Sequence, residues 1–522
     1  MEVKQHSRLF SKPQILITTL LAGPLPAGYL LFRNFFTAGH IKRARLIKGA
    51  GYLGALIVFF VNTFLVHRYT LSEGALQQSP VLAYGSATLL FLLFHSLFAI
   101  WFQYQSKRKQ SPLHRVLPSE KNHYPTAVVL PWLLLGIALT AWFIIAGPFR
   151  FIFLVIYLLP NLYLYGHMKK AFSEGYNRSL FRIIFIALVL LFPLSMMIDE
   201  SSSSLLGQGF RMGGYYYLPV LLYAFLLYLV FDLVMLVNRA VGFTASARQQ
   251  SLRLRGIVLF LVLLITGGFM AYGIHNFQNT RLQHYHIELP KGEGKLEQVK
   301  VAMAADIHLS EQTRMGFVHQ FVDKMNAANV DVVLLVGDIL ESGRETEKFK
   351  HFEKEFSRIE SKYGVFAVEG NHEHYGREGD IDFFEQSGIT LLQDTVVKVE
   401  ETFYLAGRRD RHVRNRAPLD ELLEQASGKL PVLMMDHQPY ELEKAAQQEV
   451  SVQFSGHTHH GQLWPLNYIT ESIYRISWGH EKIRDTHFFV TSGAQGWGPP
   501  VKTSSFSEIM VVNVDFVKAS KK

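Results

Sequence analysis

The sequence predicts two parts in one chain. A polytopic α-helical membrane domain occupies residues 1–275, and an α/β domain of two packed mixed β-sheets flanked by helices occupies residues 276–522. Long runs of leucine, phenylalanine, isoleucine and valine in the first half predict the first part. Short apolar runs that alternate with amphipathic segments predict the second. The chain of 522 residues is also longer than one domain usually is.

The membrane domain is predicted from apolar segments long enough to cross a bilayer, which takes about 20 residues in a helix. We count about eight such segments. The first contains the sequence GPLPAG, so either a full crossing or a broken, re-entrant segment fits it. The segments cover residues 14–32, 49–66, 81–102, 126–147, 150–167, 180–199, 216–237 and 256–275.

The loops between these segments are alternately rich and poor in basic residues. Lysine and arginine are concentrated in every second loop, and the loops between them carry about one basic residue each. Because basic loops stay in the cytoplasm, we expect the C-terminal domain on the extracytoplasmic face of the cytoplasmic (inner) membrane. The basic N-terminal tail fits an inside position only if the first segment does not cross. The rich loops are 33–48, 103–125, 168–182 and 238–255.

One ionisable residue, Asp232, lies inside the seventh apolar segment, about two helical turns from Arg239. Ionisable groups at such depth are costly and often functional. A transport or proton path fits this residue, and so does a hydrogen bond between helices. We favour the hydrogen bond, because isolated polar residues do not make a pathway.

In the C-terminal domain, eight short apolar runs are predicted as buried strands, and five amphipathic segments are predicted as helices. Strand and helix alternate at first and strands crowd later, which predicts two packed sheets with helices outside. The strands are 299–306, 331–338, 363–371, 403–408, 431–437, 450–457, 487–493 and 508–514, and the helices are 311–328, 345–362, 380–387, 418–427 and 440–448.

Several predicted strands end in side chains that bind metals. The sequences at these ends are ADIH, GD, GNHE, DH and GHTHH. Each is common by chance alone, but five in order, each at a strand end, are not. Loops at one edge of a sheet are where such folds build their sites, so we expect these side chains to converge. They are Asp306, His308, Asp338, Asn371, His372, His437, His457 and His459.

The residue types at these strand ends indicate which ions the site would bind. Imidazole and carboxylate together suit zinc, iron, manganese or similar divalent ions. The chain has no cysteine, which excludes disulfides and thiolate metal sites. The sequence therefore predicts a site built from histidine, carboxylate and amide ligands.

The ordered set DIH, GD, GNHE, H and GHTH resembles the calcineurin-like metallophosphoesterases over residues 297–515. GNHEHYG, DHQP, GHTHHGQ and TSGAQGWGPP are similar to the membrane-associated bacterial branch, which includes phosphodiesterases and lipid-precursor pyrophosphatases. The membrane half resembles no family that we recognise. The resemblance implies a metal-dependent phosphohydrolase that uses two divalent ions.

The resemblance also implies a role for each matching ligand. Three residues would bind the first ion, three would bind the second, and Asp338 would bridge them and count as catalytic. The first set is Asp306, His308 and His459, and the second is Asn371, His437 and His457.

Three other residues have expected roles near this site. His372 matches the family position that stabilises the transition state or protonates the leaving oxygen. His460 lies outside the GHTH pattern, and we expect it at the rim of the site, in contact with substrate. Glu341 stands where many relatives have aspartate. We expect this position to lie behind the metal ligands, so the departure should have a small effect.

Two further segments bear on the substrate. The sequence GRRDRHVRNR (407–416) contains Arg408 and Arg409, and arginine recognises phosphate oxygens in a bidentate manner. A solvated basic loop and a contact with the membrane surface also fit this segment. The segment 462–479 and Trp497 are rich in aromatic residues, which favour membrane interfaces. Ordinary packing over the site is the alternative for these aromatics.

Together these observations predict a phosphoester or diphosphate hydrolase with two metal ions, at the outer face of the membrane. Its expected partners are membrane lipids, and its expected substrate is a phosphorylated lipid or a lipid-linked precursor. Two alternatives stay open: a membrane-tethered phosphodiesterase for soluble substrates, and a transporter or receptor whose outer domain binds a phosphorylated ligand. Nucleic acid is not expected as a partner, because the formal net charge of +9 is accounted for by the basic loops.

Overall fold

The computed structural model of the protein describes residues 156–173, 175–198, 205–242, 251–341, 347–375, 380–426 and 429–518. Within these residues, three helices are long and apolar enough to cross a membrane: α1 (Tyr176–Ser195), α2 (Leu205–Val241) and α3 (Leu252–Gln278). They correspond to the sixth, seventh and eighth predicted spans.

The remaining predicted spans lie wholly or partly outside the described residues. The first four fall outside them, and the fifth is described only from residue 156, where residues 156–168 are helical. The count of eight spans therefore stays a prediction. The predicted domain boundary after residue 275 falls near the end of α3, which leads directly into the first strand.

Asp232 on α2 hydrogen bonds to a neighbouring helical stretch, as the favoured interpretation of the sequence expects. The Tyr163 hydroxyl donates to Asp232 Oδ2 at 2.7 Å, and His167 Nε2 lies 3.2 Å from the same oxygen. Both partners belong to the helical residues 156–168. Pairing of this kind is how a carboxylate inside an apolar helix is usually satisfied.

The C-terminal domain contains two six-stranded sheets, and both mix parallel with antiparallel pairs. The first sheet has the order β1–β12–β2–β3–β4–β5, and the second has the order β10–β11–β9–β8–β7–β6. The strands are β1 (Arg281–Pro290), β2 (Gln298–Ala304), β3 (Val332–Val336), β4 (Val365–Val368), β5 (Thr390–Leu391), β6 (Thr395–Val399), β7 (Phe403–Gly407), β8 (Val432–Met435), β9 (Val452–Ser455), β10 (Gly479–Ile483), β11 (Thr486–Val490) and β12 (Glu508–Val517).

Side chains alternate along these strands between two apolar layers, because neighbouring residues of a strand point to opposite faces. On β2, Val301 joins the core between the sheets, where it meets Phe454 of the second sheet. Ala302 joins the outer core beneath Phe321 and Phe352. The helices that cover the two sheets are α4 (Met315–Ala327), α5 (Glu347–Phe356), α6 (Asp380–Gln386), α7 (Leu419–Glu424), α8 (Leu442–Gln447) and α9 (Asn467–Ile473).

The predicted α/β domain with two packed sheets is confirmed, and several elements go beyond the prediction. Strands occupy all eight predicted apolar runs, whereas β1, β5, β6, β10 and α9 were not predicted. The sequence of β1, RLQHYHIELP, lacks an apolar run because β1 is an edge strand that pairs only with β12. Its register is set by the ten-residue parallel pairing and not by its own burial pattern.

Helix α3 packs directly against the loop that precedes β12. The backbone N–H of Lys502 donates to the Gly273 carbonyl at 2.9 Å, and that of Ser507 donates to the Asn276 carbonyl at 3.0 Å. The Tyr223 hydroxyl of α2 hydrogen bonds to Thr503 of the same loop. These contacts join the apolar helices to the C-terminal domain through a specific interface.

Gly273 gives a direct test of this interface. A Cβ atom at this position would lie 2.4 Å from a Val501 methyl carbon, whereas no described atom lies within 4 Å of a Cβ at Gly268. We expect Gly273→Val to destabilise the protein by about 1–3 kcal/mol, because overpacking forces the loop away from the helix. Gly268→Val introduces the same residue into the same helix and serves as the matched control. Equal thermal unfolding midpoints of the two variants in detergent would contradict this packing.

Candidate metal centre

The predicted ligands converge because the strands that carry them run in the same direction. In the first sheet, β2, β3 and β4 are parallel, and in the second sheet β8 and β9 are parallel. Their carboxyl ends therefore meet at one edge of the two-sheet core. The residues that follow these five strands include Asp306, His308, Asp338, Asn371, His372, His437, His457 and His459.

The backbone at this edge is held in an unfavourable conformation. Five of the predicted ligands adopt a positive φ, which costs a residue with a side chain about 1–2 kcal/mol. Such conformations persist only where the surrounding structure enforces them, and they cluster at functional sites. The five residues are Asp306 (φ 56°), His308 (φ 50°), Asp338 (φ 53°), His457 (φ 70°) and His459 (φ 47°).

Two glycines of the sequence motifs allow the carboxylates to enter the site. A Cβ atom on Gly370, the glycine of GNHE, would lie 2.2 Å from Asp338 Oδ1. A Cβ atom on Gly456, the glycine of GHTH, would lie 2.4 Å from Asp306 Oδ2. Any side chain at either position would displace a carboxylate.

The first ligand group is formed by Asp306, His308 and His459, whose ligand atoms all lie within 4.8 Å of one another. His459 Nε2 is 3.4 Å from Asp306 Oδ1 and 3.2 Å from His308 Nε2. Two ring nitrogens and a carboxylate oxygen that face one point form a donor set suited to a divalent ion.

The second ligand group is formed by Asp338, His437 and His457. His437 Nδ1 donates to the Val336 carbonyl at 2.8 Å, which leaves Nε2 facing Asp338 Oδ2 at 3.0 Å. A histidine fixed in this way by its other nitrogen is the usual arrangement of a metal ligand. Asn371 is buried at the neighbouring strand end.

The pKa shifts of two ligand histidines and of Asp306 fit metal binding. Burial lowers the pKa of His457 to about 4 and, with the charge of His308, lowers that of His459 well below its usual value. Metal ligands must be deprotonated, so neutral imidazoles are required here. For His308 and His437, burial alone would lower the pKa, but the nearby carboxylates of Glu341 and Asp338 raise it. Burial raises the pKa of Asp306, and a bound cation would compensate the carboxylate charge that burial disfavours. The residues present therefore fit two divalent ions such as manganese, zinc or iron.

Glu341 contacts two histidines of this site. Its carboxylate contacts His308 Nδ1 at 2.7 Å and His372 Nδ1 at 3.2 Å, and it accepts a hydrogen bond from Trp497 Nε1 at 3.0 Å. Burial alone would raise the pKa of Glu341, but its contacts with the two histidines lower it to about 2. Glu341 thus orients both His308, a predicted metal ligand, and His372, the predicted proton donor.

Glu373 is a site residue that the sequence reasoning missed. Its buried carboxylate accepts backbone N–H bonds from Asp338 at 3.0 Å, Ile339 at 2.6 Å, Leu340 at 2.9 Å and Gly370 at 2.7 Å. Burial and the nearby Asp338 raise the pKa of Glu373 to about 7. The glutamate of GNHE was the available signal, and the structure shows that it shapes the loop that carries Asp338.

Lys502 is a second residue that sequence reasoning missed. Its side chain is fully buried, and Nζ donates to the carbonyls of Ser492 at 2.6 Å and Gly493 at 2.7 Å. Burial lowers the pKa of Lys502 to about 7. The residues that follow Gly493 hydrogen bond to the backbone at Asp306, since the Gln495 N–H donates to the Asp306 carbonyl at 3.1 Å. Lys502 thus supports the loop beside the first ligand group.

The three predicted substrate-binding residues lie outside the ligand groups. Arg408 is buried, and its guanidinium contacts Asp436 at 3.0 Å and Glu441 at 3.3 Å. Phosphate would have to compete with this ion pair, and its binding by Arg408 stays a prediction. Arg409 is half-buried. His460 Nδ1 lies 3.1 Å from Ser477 Oγ, and its ring packs on the indole of Trp478.

Comparison with known proteins bears on residues 299–461, which match the family model of the calcineurin-like phosphoesterases. An uncharacterised metallophosphoesterase of Helicobacter pylori is 28% identical over 270 residues, which cover 50% of this chain and 71% of that protein. One of Campylobacter jejuni is 26% identical over 376 residues, which cover 70% of this chain and 98% of that protein. This second match is longer than the whole C-terminal domain, so it reaches into the membrane half.

A vertebrate protein of similar organisation also matches. A Danio rerio protein named as a transmembrane protein with a metallophosphoesterase domain is 28% identical over 267 residues, which cover 48% of this chain and 61% of that protein. Membrane-spanning helices and this domain thus occur together in a protein that the chain resembles.

Proposed function

The chain carries a calcineurin-like metallophosphoesterase domain together with helices that can span a membrane, and from this premise we propose that it hydrolyses a phosphorylated lipid or lipid-linked precursor. The reaction would be metal-dependent cleavage of a phosphoester or diphosphate at the outer face of the cytoplasmic membrane. The membrane domain would cross about eight times, as the sequence predicts.

One observation carries the hydrolase assignment. Two ligand groups, Asp306–His308–His459 and Asp338–His437–His457, lie at the same edge of one domain. When bound there, two divalent ions supply a water of lowered pKa and a clamp for phosphoryl oxygens. No side-chain nucleophile is needed for such a reaction.

The protein residues would position the reacting groups around that centre. Asp338 faces His437 with Oδ2, while its Oδ1 accepts the backbone N–H of His372 at 2.8 Å, so one carboxylate fixes both neighbours. The His372 ring lies 4.7 Å from that of His308, at the border of the first ligand group. From there His372 would donate a proton to the leaving oxygen, as a general acid within hydrogen-bond reach does.

Two features support a substrate that resides in the membrane. The alternation of basic loops predicts that the C-terminal domain lies on the extracytoplasmic side. Helix α3 contacts the loop that contains Lys502, and Lys502 in turn bonds to the segment beside the first ligand group. The edge of the domain that carries the ligand groups is therefore held against the apolar helices by direct contacts, in addition to the chain connection between them.

The proposed function is tested by the hydrolytic activity of purified full-length protein in detergent with added manganese, measured as dye release from the dye esters and as phosphate release from the lipid diphosphate. A phosphodiester dye, a phosphomonoester dye and a lipid diphosphate would be compared as substrates. We expect turnover of the lipid that is lost in His457→Ala and retained in His284→Ala, since His284 is exposed on β1.

The other outcomes discriminate between the open alternatives. Turnover of the dyes without the lipid would favour a tethered phosphodiesterase for soluble substrates. No turnover of any substrate by metal-loaded protein would contradict the hydrolase and favour a receptor or transporter.

A further inference from the structure

Exposed apolar side chains of the C-terminal domain are concentrated in one place. Among the described residues from 279 to 518, six of the seven large hydrophobic residues that are exposed lie within residues 464–473 or at position 497. The seventh, Val517, lies at the end of β12. Contiguous exposed apolar surface of this kind marks a binding surface. The six residues, which we call the apolar rim, are Trp464, Leu466, Tyr468, Ile469, Ile473 and Trp497.

Helix α9 within the rim exposes its apolar residues. It buries only Asn467, and it exposes Ile469 and Ile473, which lie on one face because they are four residues apart, beside the exposed Glu471 and Ser472. Ile473 is 57% exposed. A surface helix in water normally buries its apolar face. The exposed isoleucine face indicates apolar surroundings on that side.

The rim is continuous with a membrane-spanning helix. The Trp464 indole stacks on Phe269 of α3, with ring centroids 6.2 Å apart and planes at 5°. Leu463 packs with Met270 of the same helix. Phe269 lies about 21 Å along the helix from Arg255, at 1.5 Å per residue. The apolar core of a bilayer is about 30 Å thick, so with Arg255 taken as the cytoplasmic boundary, Trp464 lies within about 9 Å of the far headgroup layer, at a depth that a rim inserted into that layer reaches.

The rim also borders the metal centre. The Trp497 ring lies 6.1 Å from that of His372, and its Nε1 donates to Glu341. Gln462 joins the two segments of the rim, because its Oε1 accepts the Trp497 N–H at 3.0 Å and its Nε2 donates to the Pro499 carbonyl at 2.7 Å. A surface that contacts lipid here would place the catalytic edge at the lipid headgroups.

We propose that the apolar rim inserts into the headgroup layer of the bilayer, so that a membrane-resident phosphate reaches the metal centre without leaving the membrane. The occupant is the lipid surface itself, because the rim continues a helix that spans it. Two tryptophans and a tyrosine in the rim suit this layer, where amphipathic rings are enriched. The proposal deepens the proposed hydrolase function and rests on it for the catalytic step only.

The test uses the absence of native cysteine in the chain. Single variants Ile469→Cys and Ile473→Cys would be labelled with an environment-sensitive nitrobenzoxadiazole dye on the full chain. The protein would be reconstituted in vesicles of phosphatidylcholine and phosphatidylglycerol, with or without lipids that carry a doxyl quencher at acyl carbon five. Val517→Cys is the matched control. β12 begins beside the end of α3, and Val517 lies about 30 Å further along this strand, at 3.3 Å per residue, so a label there is far from the membrane-spanning helix.

We expect a blue-shifted emission and at least about twofold quenching by doxyl lipid at 469 and 473, and neither effect at 517. Quenching at 469 and 473 no greater than at 517 would overturn the proposal. The same labels placed in the Asp338→Asn variant separate insertion from catalysis. Insertion that persists in this variant supports membrane insertion of the apolar rim, whatever the activity. Hydrolysis of the dye substrates without insertion would support the hydrolase function and contradict membrane insertion of the rim.

Discussion

Replacement of Asp338 by asparagine is expected to lower phosphate release by at least about a thousandfold. A metal clamp contributes several kcal/mol to transition-state stabilisation, and each 1.36 kcal/mol corresponds to about a factor of ten in rate. Asp338 is buried, and its two oxygens face His437 and the backbone N–H of His372. Burial alone would raise the pKa of Asp338, but the contacts and charges of His437, His308 and His372 together lower it, so this carboxylate is charged at neutral pH.

Asparagine keeps the shape of the side chain and removes the charge that would bridge two cations. We therefore expect the variant to fold and to bind less metal, which metal analysis by plasma emission would measure beside the rate. Asp323→Asn is the matched control, because Asp323 is 62% exposed and pairs only at the surface with Arg358. Full activity in Asp338→Asn would contradict the proposed centre.

Replacement of Glu341 by glutamine is expected to weaken metal binding or activity by about 10–100-fold, which is the usual effect of losing the partner of a metal-bound histidine. Glu341 contacts both His308 and His372, one with each carboxylate oxygen, so glutamine leaves one of the two imidazoles facing an amide NH2 that cannot accept its N–H. The small effect expected from the sequence concerns the presence of glutamate instead of aspartate, and not the loss of the carboxylate.

The measurement for Glu341→Gln is the manganese concentration that gives half-maximal phosphate release. Glu443→Gln provides the control, since Glu443 is exposed and pairs with Arg475 at the surface. A half-maximal concentration unchanged in Glu341→Gln, with an unchanged rate, would show that the carboxylate does not hold the two histidines in place.

The fold was predictable where local pattern and tertiary environment agree. Strands such as β3, VVLLV, are buried on both faces, so their apolar runs identify them directly. Helix α9 is different, because its apolar residues face outward and its sequence NYITESI has no buried apolar stripe. The sequence of that segment indicates an aromatic loop and not a helix. Helices are recognised from a pattern with an apolar face toward the core and a polar face toward water, and α9 lacks this pattern.

Those site residues that directly follow a predicted strand could be identified from the sequence. The eight predicted strand-end residues needed only the direction of the strands to converge. Arg408 could not be assigned, because its partner Asp436 is 28 positions away and sequence does not show such a pair. Glu373 and Lys502 were missed because they bind backbone groups, and backbone groups leave no pattern in the sequence.

The most direct test of the account is the metal content and phosphate release of one purified preparation, before chelation, after chelation and after manganese is restored. We predict about two divalent ions per chain in the active states, as a two-metal centre requires, and loss of hydrolysis with the metal. Hydrolysis that persists at full rate in metal-free protein would contradict the central claim. So would a protein that binds two ions and hydrolyses none of the phosphate substrates.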